Sequence, residues 1–273
     1  MSLLPTLDKT KSIFNINMLT YAQRAEYAHH PLAKRLFMLM EQKQTNLIHN
    51  PDVDNKKQFI ALTDAIGPYI CALKTHIDII NDFDWDLIEQ LKTLAQKHNF
   101  LIIEDRKFCD IGSIVQKQYR DGMYKIVDWA DIIIAHAVSG PGVVDGLKSV
   151  GKDKNRGMLL LSHLSCAGNL IDNMYTKKTV ELAETNTDFV VGLVAQERCT
   201  TDIGLLIVAP GISLTQKKDN LSQRYNTPEY MIGQCGIDAI IVGRSIYNAD
   251  DLVDSAQQYR GAGWQAYKKR IES

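Results

Sequence analysis

The sequence predicts an α/β fold, a (β/α)8 TIM barrel with an N-terminal helical extension. Eight short apolar runs alternate along the chain with segments of helical periodicity. The runs are rich in Val, Ile and Leu at both odd and even positions, as strands are when both faces of a parallel sheet are covered. No linker or low-complexity segment interrupts the series. Eight consecutive strand–helix units favour a closed barrel over an open sheet.

The N-terminal part precedes the first predicted strand. Residues 1–17 are mixed polar, lack the continuous apolar core of a secretory signal, and predict a tail. Residues 18–44 carry apolar side chains at three- and four-residue intervals, which predicts helices, and Pro31 separates two of them. We expect these helices to pack across one end of the barrel. Residues 18–273 are then predicted to form a single domain.

The elements of the barrel follow in order. The predicted strands lie at 46–50, 69–74, 101–105, 132–136, 158–162, 189–195, 205–209 and 239–243. The first is the weakest, because it contains polar residues and Pro51 directly after it lacks a backbone donor. It is retained because the barrel needs eight strands and because Asp52 follows. The predicted helices lie at 56–66, 86–98, 114–124, 141–150, 179–185, 228–235 and 251–267.

The composition is that of an ordinary globular protein. The 273 residues are 45% hydrophobic and 23% charged, with a formal net charge of −1. This near-neutral balance argues against nucleic acid or an anionic membrane as the main partner. No apolar stretch approaches the roughly 20 residues that span a bilayer. The five cysteines are scattered without a C-x-x-C pair, which is typical of reduced thiols in a cytoplasmic protein.

Ionisable and polar residues collect where the predicted strands end, which is the face of such barrels that carries the chemistry. These residues are Asp52, Lys74, His76, Asp105, Lys107, Asp110, His136, Ser165, Pro210, Gly211, Gly243 and Arg244. The amino ends of the predicted strands carry no comparable collection of ionisable residues. This one-sided distribution predicts an active site at the carboxyl ends of the strands.

Several of these residues also have a purely structural interpretation. Asp52 is placed to cap the following helix, and Lys74 to lay its stem along the apolar rim. Ser165 also fits the role of a simple residue in a turn. His76 and His136 are interpreted as hydrogen-bonding supports rather than as proton carriers.

The densest group follows strand 3, in the run L-I-I-E-D-R-K-F-C-D at 101–110. Side chains alternate along a strand, so we expect Asp105 and Lys107 on one side and Arg106 on the other. Asp110 comes where the chain turns. Taken alone, D-x-K-x-x-D fits a solvated loop with an incidental ion pair as well as it fits a catalytic group. The collection of polar residues at the other strand ends favours the catalytic interpretation.

A second group predicts a phosphate site. Gly243 and Arg244 follow strand 8 where a new helix begins, and backbone N–H groups beside a guanidinium suit a phosphate dianion. The loop after strand 7, at 210–227, is long and polar, which predicts a lid. Gln223 and Tyr225 lie in this loop and carry donors for the same phosphate.

The motifs resemble those of the orotidine 5′-monophosphate decarboxylase family, in its fungal/animal-like subgroup. The most specific are E-D-R-K-F-C-D-I-G at 104–112 and L-K-T-H-I-D at 73–78. Further matches lie at 136–142, 164–168, 209–212, 223–225 and 240–244, so the resemblance covers nearly the whole barrel. It implies removal of CO2 from C6 of the pyrimidine to give uridine monophosphate, the last step of de novo pyrimidine synthesis, with no cofactor and no metal.

The resemblance also implies roles for individual residues. Lys74, Asp105, Lys107 and Asp110 match the family's charged tetrad. Asp110 is expected to reach into the neighbouring subunit's site, which makes the protein a homodimer. The implied substrate-binding residues are Asp52 for the ribose, Ser165 for the amide edge of the pyrimidine, Pro210, and then Gln223, Tyr225, Gly243 and Arg244 for the phosphate.

The chain departs from the family pattern at two places. Ile114 stands where the family usually has a Thr that helps to bind the ribose of the partner subunit, so that contact is missing or falls to Ser113 or water. The segment 49–51 before Asp52 is more polar than the family's usual apolar sequence. Both departures bear on how the ribose is held rather than on the type of reaction.

The implied reaction sets a clear electrostatic demand. Decarboxylation leaves carbanion character at C6, so a cofactor-free route needs a cation and a proton donor there, and Lys107 supplies both. Asp105 would lie near the substrate carboxylate and disfavour the bound acid. Lys74 and the partner's Asp110 would hold the other two groups in place.

Two alternative functions are compatible with the same barrel. One is a metal-dependent phosphosugar lyase or decarboxylase of the same superfamily. Such an enzyme needs an extra acidic metal ligand after strand 2, where this chain has Lys74. The other is a catalytically silent barrel that binds nucleotides or a protein partner, against which the intact tetrad argues.

Overall fold

The computed structural model describes residues 16–215 and 224–272, and within them eight parallel strands form a closed barrel in chain order. The strands are β1 Leu47–His49, β2 Ala72–Thr75, β3 Leu101–Phe108, β4 Ile132–His136, β5 Gly157–Leu161, β6 Val190–Val194, β7 Leu206–Ala209 and β8 Ala239–Val242. Pairing of β1 with β8 closes the barrel. The predicted fold class is confirmed, including the weak first strand.

Helices surround the barrel and cover one of its ends. They are α1 Tyr21–Ala25, α2 Pro31–Lys43, α3 Lys56–Ile66, α4 Trp85–His98, α5 Gly112–Arg120, α6 Pro141–Gly151, α7 Asn173–Glu184, α8 Arg244–Tyr247 and α9 Leu252–Glu272. Pro31 opens α2 as the sequence predicts. Residues 1–15 of the predicted tail lie outside the described residues, so its extent stays a prediction.

The structure corrects several predicted boundaries. The third strand continues beyond the predicted 101–105 to Phe108. The helix predicted at 179–185 begins at Asn173, because the Asp172 side chain caps it by accepting from Tyr175 N. The helix predicted to end at 124 ends at Arg120, because the amides of the next two residues both turn back to the Lys117 carbonyl.

Two connections are irregular. The predicted helix at 228–235 is a π-helix over Glu229–Gln234. The segment 195–205 between β6 and β7 forms no regular helix, in line with the absence of a predicted one. The strict strand–helix alternation therefore fails at one point without disturbing the order of the strands.

The amino ends of the strands are closed by buried aromatic and ionic contacts. Tyr21 of α1 stacks on Tyr267 of α9 with ring centroids 4.0 Å apart. Beside them Asp238, directly before β8, accepts from the guanidinium groups of Arg24 and Arg198, and the Arg198 contact measures 2.7 Å. Because a buried carboxylate is tolerable only when it is paired, this cluster joins the N-terminal helices firmly to the barrel.

Helices α5 and α6 approach each other unusually closely. A Cβ placed on Gly146 would lie 2.5 Å from the Gly112 carbonyl oxygen, and a Cβ on Gly112 would lie 2.6 Å from the Gly142 carbonyl oxygen. Only glycine allows backbones to meet at this distance. The contact fixes the start of α5, immediately after the polar group of strand 3.

We expect Gly146→Ala to lower the free energy of unfolding by about 1–3 kcal/mol, because the added methyl group overpacks a backbone contact. The measurement is urea denaturation. Gly261→Ala on α9 is the matched control, since nothing lies within 4 Å of a Cβ there, and we expect it to be neutral or stabilising by up to about 1 kcal/mol. Equal effects of the two substitutions would contradict the close-packing argument.

Candidate active site

A cavity of about 280 Å³ opens at the carboxyl ends of the strands. Most of the predicted site residues line it, namely Asp52, Lys74, Asp105, Lys107, Ser165, Pro210, Tyr225, Gly243 and Arg244. Gln223 and the loop 216–223 lie outside the described residues. Asp110 is described but does not line the cavity of its own chain.

The end of β3 is bent by a bulge. The pairing of β3 with β4 shifts register between Glu104 and Phe108, and Lys107 has φ of 49°, in the left-handed region. A lysine there is strained, and such strain is concentrated at functional sites. Asp105 and Lys107 do face each other as predicted, but through this bulge rather than through regular strand alternation.

Two ammonium groups share one carboxylate oxygen at the base of the cavity. Lys74 Nζ lies 2.6 Å from Asp105 Oδ2, and Lys107 Nζ lies 2.9 Å from the same oxygen. The Lys74 and Asp105 side chains are 6% and 5% exposed, while Lys107 is 38% exposed. Lys107 is therefore the member of the group that is open to the cavity.

The charge on Asp105 is held by its neighbours. Burial by itself raises the pKa of this carboxyl, but Lys74, His76 and Lys107 together hold it well below its usual range. The second oxygen, Oδ1, is buried and has no hydrogen-bond partner within the described ranges. An unsatisfied buried carboxylate oxygen is costly and is expected at functional sites rather than in a structural ion pair.

His76 joins the charged group to Asp52. Its Nδ1 lies 2.6 Å from Asp52 Oδ1, and its Nε2 lies 3.1 Å from Asp105 Oδ2 and 3.2 Å from Lys74 Nζ. Burial lowers the pKa of His76, but the hydrogen bonds to the two carboxylates outweigh it and raise the pKa above its ordinary value. The supporting role predicted for His76 thus has a concrete form, a bridge between two acids.

Asp52 does not cap the following helix. The cap of α3 is Asn55, whose side chain accepts from Gln58 N. The two oxygens of Asp52 are instead engaged by His76 and by the side-chain amide of Asn50. The structural alternative left open for Asp52 is therefore wrong, and the residue is held facing the cavity.

Polar cavity residues that were not predicted as site residues include Asn50, His163 and Ser245. Asn50 was noted only as an unusual polar residue in the first strand, and that polarity was the available signal. His163 carries no motif signal. It is half-buried, burial lowers its pKa, and its Nδ1 is buried without a hydrogen-bond partner among the described residues.

The predicted phosphate-binding residues lie at the end of β8 and in the loop after β7. Arg244 opens α8 and donates through its Nη2 to Tyr225 Oη at 2.7 Å. Gly243 is packed so that an added Cβ would lie 3.0 Å from the Asn50 carbonyl oxygen. The segment of Tyr225 is tied down by Arg224 N, which donates to the Ser165 carbonyl at 3.2 Å. Predicted base-binding and phosphate-binding residues thus meet across the cavity.

Asp110 lies on the outer surface beside apolar residues. It is exposed and its Oδ1 accepts from Ile111 N at 2.7 Å. Ile111 and Val138 are 62% and 65% exposed, and Ile114 is 36% exposed. Exposed apolar side chains around a polar residue are typical of a protein–protein contact.

The described part of the chain offers little to a metal or a membrane. Across residues 16–215 and 224–272 no group of three or more His, Cys, Asp or Glu side chains is arranged to hold a metal ion. In the same residues, none of the helices combines the length and the apolar character needed to cross a bilayer. The groups that the cavity does offer are two ammonium groups, a guanidinium and paired carboxylates.

Comparison with known proteins identifies the relatives of the chain. Residues 45–259 match the family model described as orotidine 5′-phosphate decarboxylase / HUMPS family. The orotidine 5′-phosphate decarboxylase of Rhizopus oryzae is 50% identical over 254 residues, covering 92% of this chain and 96% of the relative. That of Schizosaccharomyces pombe is 48% identical over 254 residues, with the same two coverages.

A longer relative and a solved structure complete the comparison. The uridine 5′-monophosphate synthase of Bos taurus is 44% identical over 254 residues, which cover 93% of this chain and 53% of that protein. The orotidine 5′-monophosphate decarboxylase of Methanocaldococcus jannaschii, solved with the inhibitor BMP, superposes with a TM-score of 0.65. It is 20% identical and covers 80% of this chain and 98% of that one, so it supports the fold alone.

Proposed function

The chain belongs to the orotidine 5′-phosphate decarboxylase / HUMPS family, and from that premise we propose how its residues carry out the reaction. The enzyme is a carboxy-lyase that converts orotidine 5′-monophosphate to uridine 5′-monophosphate and CO2 in pyrimidine synthesis. The observation that carries the proposed residue roles is the contact of Lys74 and Lys107 with one buried oxygen of Asp105 inside the cavity.

The metal-dependent phosphosugar alternative finds no support. Relatives about as long as this chain and close to half identical to it are named orotidine 5′-phosphate decarboxylases. At the carboxyl end of β2 the chain presents Lys74, a cation, where the alternative needs an acidic ligand. The proposed route therefore uses no metal and no cofactor.

Lys107 is the proposed proton donor. When the bond between C6 and the carboxylate breaks, its electron pair stays at C6 and CO2 leaves. The ammonium of Lys107 stabilises the developing negative charge and then donates a proton to C6. The resulting neutral amine regains its proton from solvent, for which its 38% exposure gives access.

Asp105 is proposed to act on the bound acid. A second carboxylate next to this buried charge is disfavoured, and the repulsion disappears as CO2 forms. Lys74 neutralises part of the charge and keeps Asp105 ionised. His76 extends the network to Asp52, so the proposed ribose contact and the reacting end are joined by hydrogen bonds.

The remaining substrate contacts supply binding energy away from C6. Ser165 is proposed to read the amide edge of the pyrimidine, with Pro210 beside it in the wall of the cavity. Gly243 and Arg244 offer a helix start and a guanidinium to the phosphate, joined by Tyr225. Gln223 is proposed for the same phosphate on the resemblance alone. Such remote contacts promote the reaction when their energy organises the charged groups.

The active assembly is proposed to be a homodimer in which Asp110 enters the partner's cavity. Asp110 is exposed, does not line its own cavity, and is followed along the chain by the exposed apolar residues Ile111 and Ile114. These features suit an isologous contact between two copies of the chain. We also propose a cytoplasmic location, consistent with five free cysteines.

The test of the function is release of CO2 from orotidine 5′-monophosphate, followed by absorbance of the pyrimidine. We expect full turnover in excess EDTA, because the route needs no metal. Lys107→Ala is the control and should abolish turnover while the nucleotide still binds. Loss of wild-type activity in EDTA, with recovery on adding a divalent cation, would contradict the metal-free mechanism.

A shared site makes a specific prediction about mixed dimers. Lys107→Ala and Asp110→Ala should each be inactive as homodimers. After unfolding and refolding together, roughly a quarter of wild-type activity should return, because one site in each mixed dimer then has both residues intact. Steady-state turnover of the mixture is the measurement. No recovery, with dimers formed normally, would place Asp110 in the same site as Lys107 of its own chain and so contradict the shared site.

Arg244→Ala should weaken substrate binding by several kcal/mol, about the scale of losing charged hydrogen bonds to a dianion. The measurement is the nucleotide dissociation constant by calorimetry. Arg260→Ala is the control, since Arg260 donates to the Lys43 and Gln44 carbonyls far from the cavity. Micromolar affinity surviving in Arg244→Ala would refute the phosphate assignment.

A further inference from the structure

A second acid lies directly beside the catalytic one. Glu104 precedes Asp105 on β3 and is 0% exposed. Its carboxyl is hydrogen-bonded to the Thr75 hydroxyl, and Ile77 N donates to its Oε2 at 3.3 Å. Both of these neighbours are uncharged groups. The mechanism derived above uses Asp105 but gives no role to this buried carboxyl.

The contacts of the two acids interleave along one short segment. Lys74 and His76 contact Asp105, while Thr75 and Ile77 contact Glu104. Successive residues of 74–77 are thus held alternately by the two neighbouring carboxyls of β3. Glu104 thus contacts Thr75, which follows Lys74, and Ile77, which follows His76. Its two contacts lie on either side of His76.

Resting on the proposed function, we propose that Glu104 is a positioning residue that stays uncharged and fixes the 74–77 segment, so that Lys74 and His76 keep their contacts with Asp105. It touches no reacting atom. A displacement of about 1 Å in catalytic groups lowers the rate about 100-fold. We therefore expect loss of Glu104 to lower kcat.

The surroundings favour the neutral carboxyl. Burial raises the pKa of Glu104 to about 8, against smaller opposing effects of Thr75, His76 and Ile77 N, and the negative charge of Asp105 raises it further. A protonated carboxyl donates to the Thr75 oxygen and still accepts from Ile77 N. The Thr75 hydroxyl then donates to the Ile103 carbonyl, 3.4 Å away. The nearby ionisable groups are His76 on the turn and Asp105 on the same strand.

The decisive comparison is Glu104→Gln against Glu104→Leu. Gln reproduces the neutral acid, since its amide donates to Thr75 and its carbonyl accepts from Ile77 N. We expect its kcat to stay within about threefold of wild type, and that of Glu104→Leu to fall about 100-fold while KM rises less than about tenfold. Wild-type kcat in Glu104→Leu would overturn the proposal, and so would an equal loss in both variants, which would show that the charged form is needed.

Thr75→Val provides a second route if Glu104→Leu does not fold. It removes the hydroxyl that holds Glu104 and should lower kcat about 10-fold or more. Thr63→Val is the matched control, because Thr63 is equally buried and its hydroxyl donates only within α3, to the Phe59 carbonyl at 2.8 Å. Equal kcat values in the two Val variants would overturn the proposal.

Stability against pH gives an independent readout of the charge. The folded-state pKa of Glu104 is raised from 4.5 to about 8, so the stability that the protonated acid provides is lost as pH rises through this interval. The melting temperature of wild type should therefore fall relative to Glu104→Gln between pH 5 and 8. A difference in melting temperature between wild type and Glu104→Gln that stays constant from pH 5 to 8 would overturn the proposal that Glu104 is uncharged. Failure of the function itself is distinguishable, since wild type would then release no CO2.

Discussion

The site depends on one constraint, that a single buried oxygen of Asp105 accepts hydrogen bonds from two ammonium groups and lies 3.1 Å from a ring nitrogen of His76. Lys74 reaches it from β2, Lys107 from a bulge on the same strand, and His76 from the turn after β2. Lys74 is tolerable at low exposure only because the carboxylate is there, and the carboxylate stays ionised only because its cationic neighbours are there. The group therefore forms as a unit, with its geometry set by the pairing of β2 with β3.

The barrel and the identity of the charged residues were predictable, because both are encoded locally. Apolar runs with helical segments between them predict parallel strands, and acids and lysines at strand ends predict the cavity. The contact of Asp105 with Lys107 was predicted from regular strand alternation, whereas in the structure a bulge brings the two side chains together. The positive φ of Lys107 and the register shift beside it arise from pairing with β4, which no local pattern in the run 101–110 reports.

Contacts between the ends of different strands were beyond sequence reasoning. His76 bridges Asp52 and Asp105 because the ends of β1, β2 and β3 converge, and no spacing within one segment encodes that approach. His163 lines the cavity from the segment just after β5, without any motif around it. The start of α7 was missed because its cap, Asp172, lies in a stretch of weak periodicity. Local pattern thus identified the residues, while the bridging contacts depended on the closed barrel.

The packing at the amino ends of the strands has a consequence for the path of the products. Stacked Tyr21 and Tyr267 and the ionic cluster around Asp238 close that end in the part of the chain that the structure describes. On the proposed mechanism, carbon dioxide and uridine monophosphate would both leave through the cavity at the carboxyl ends of the strands.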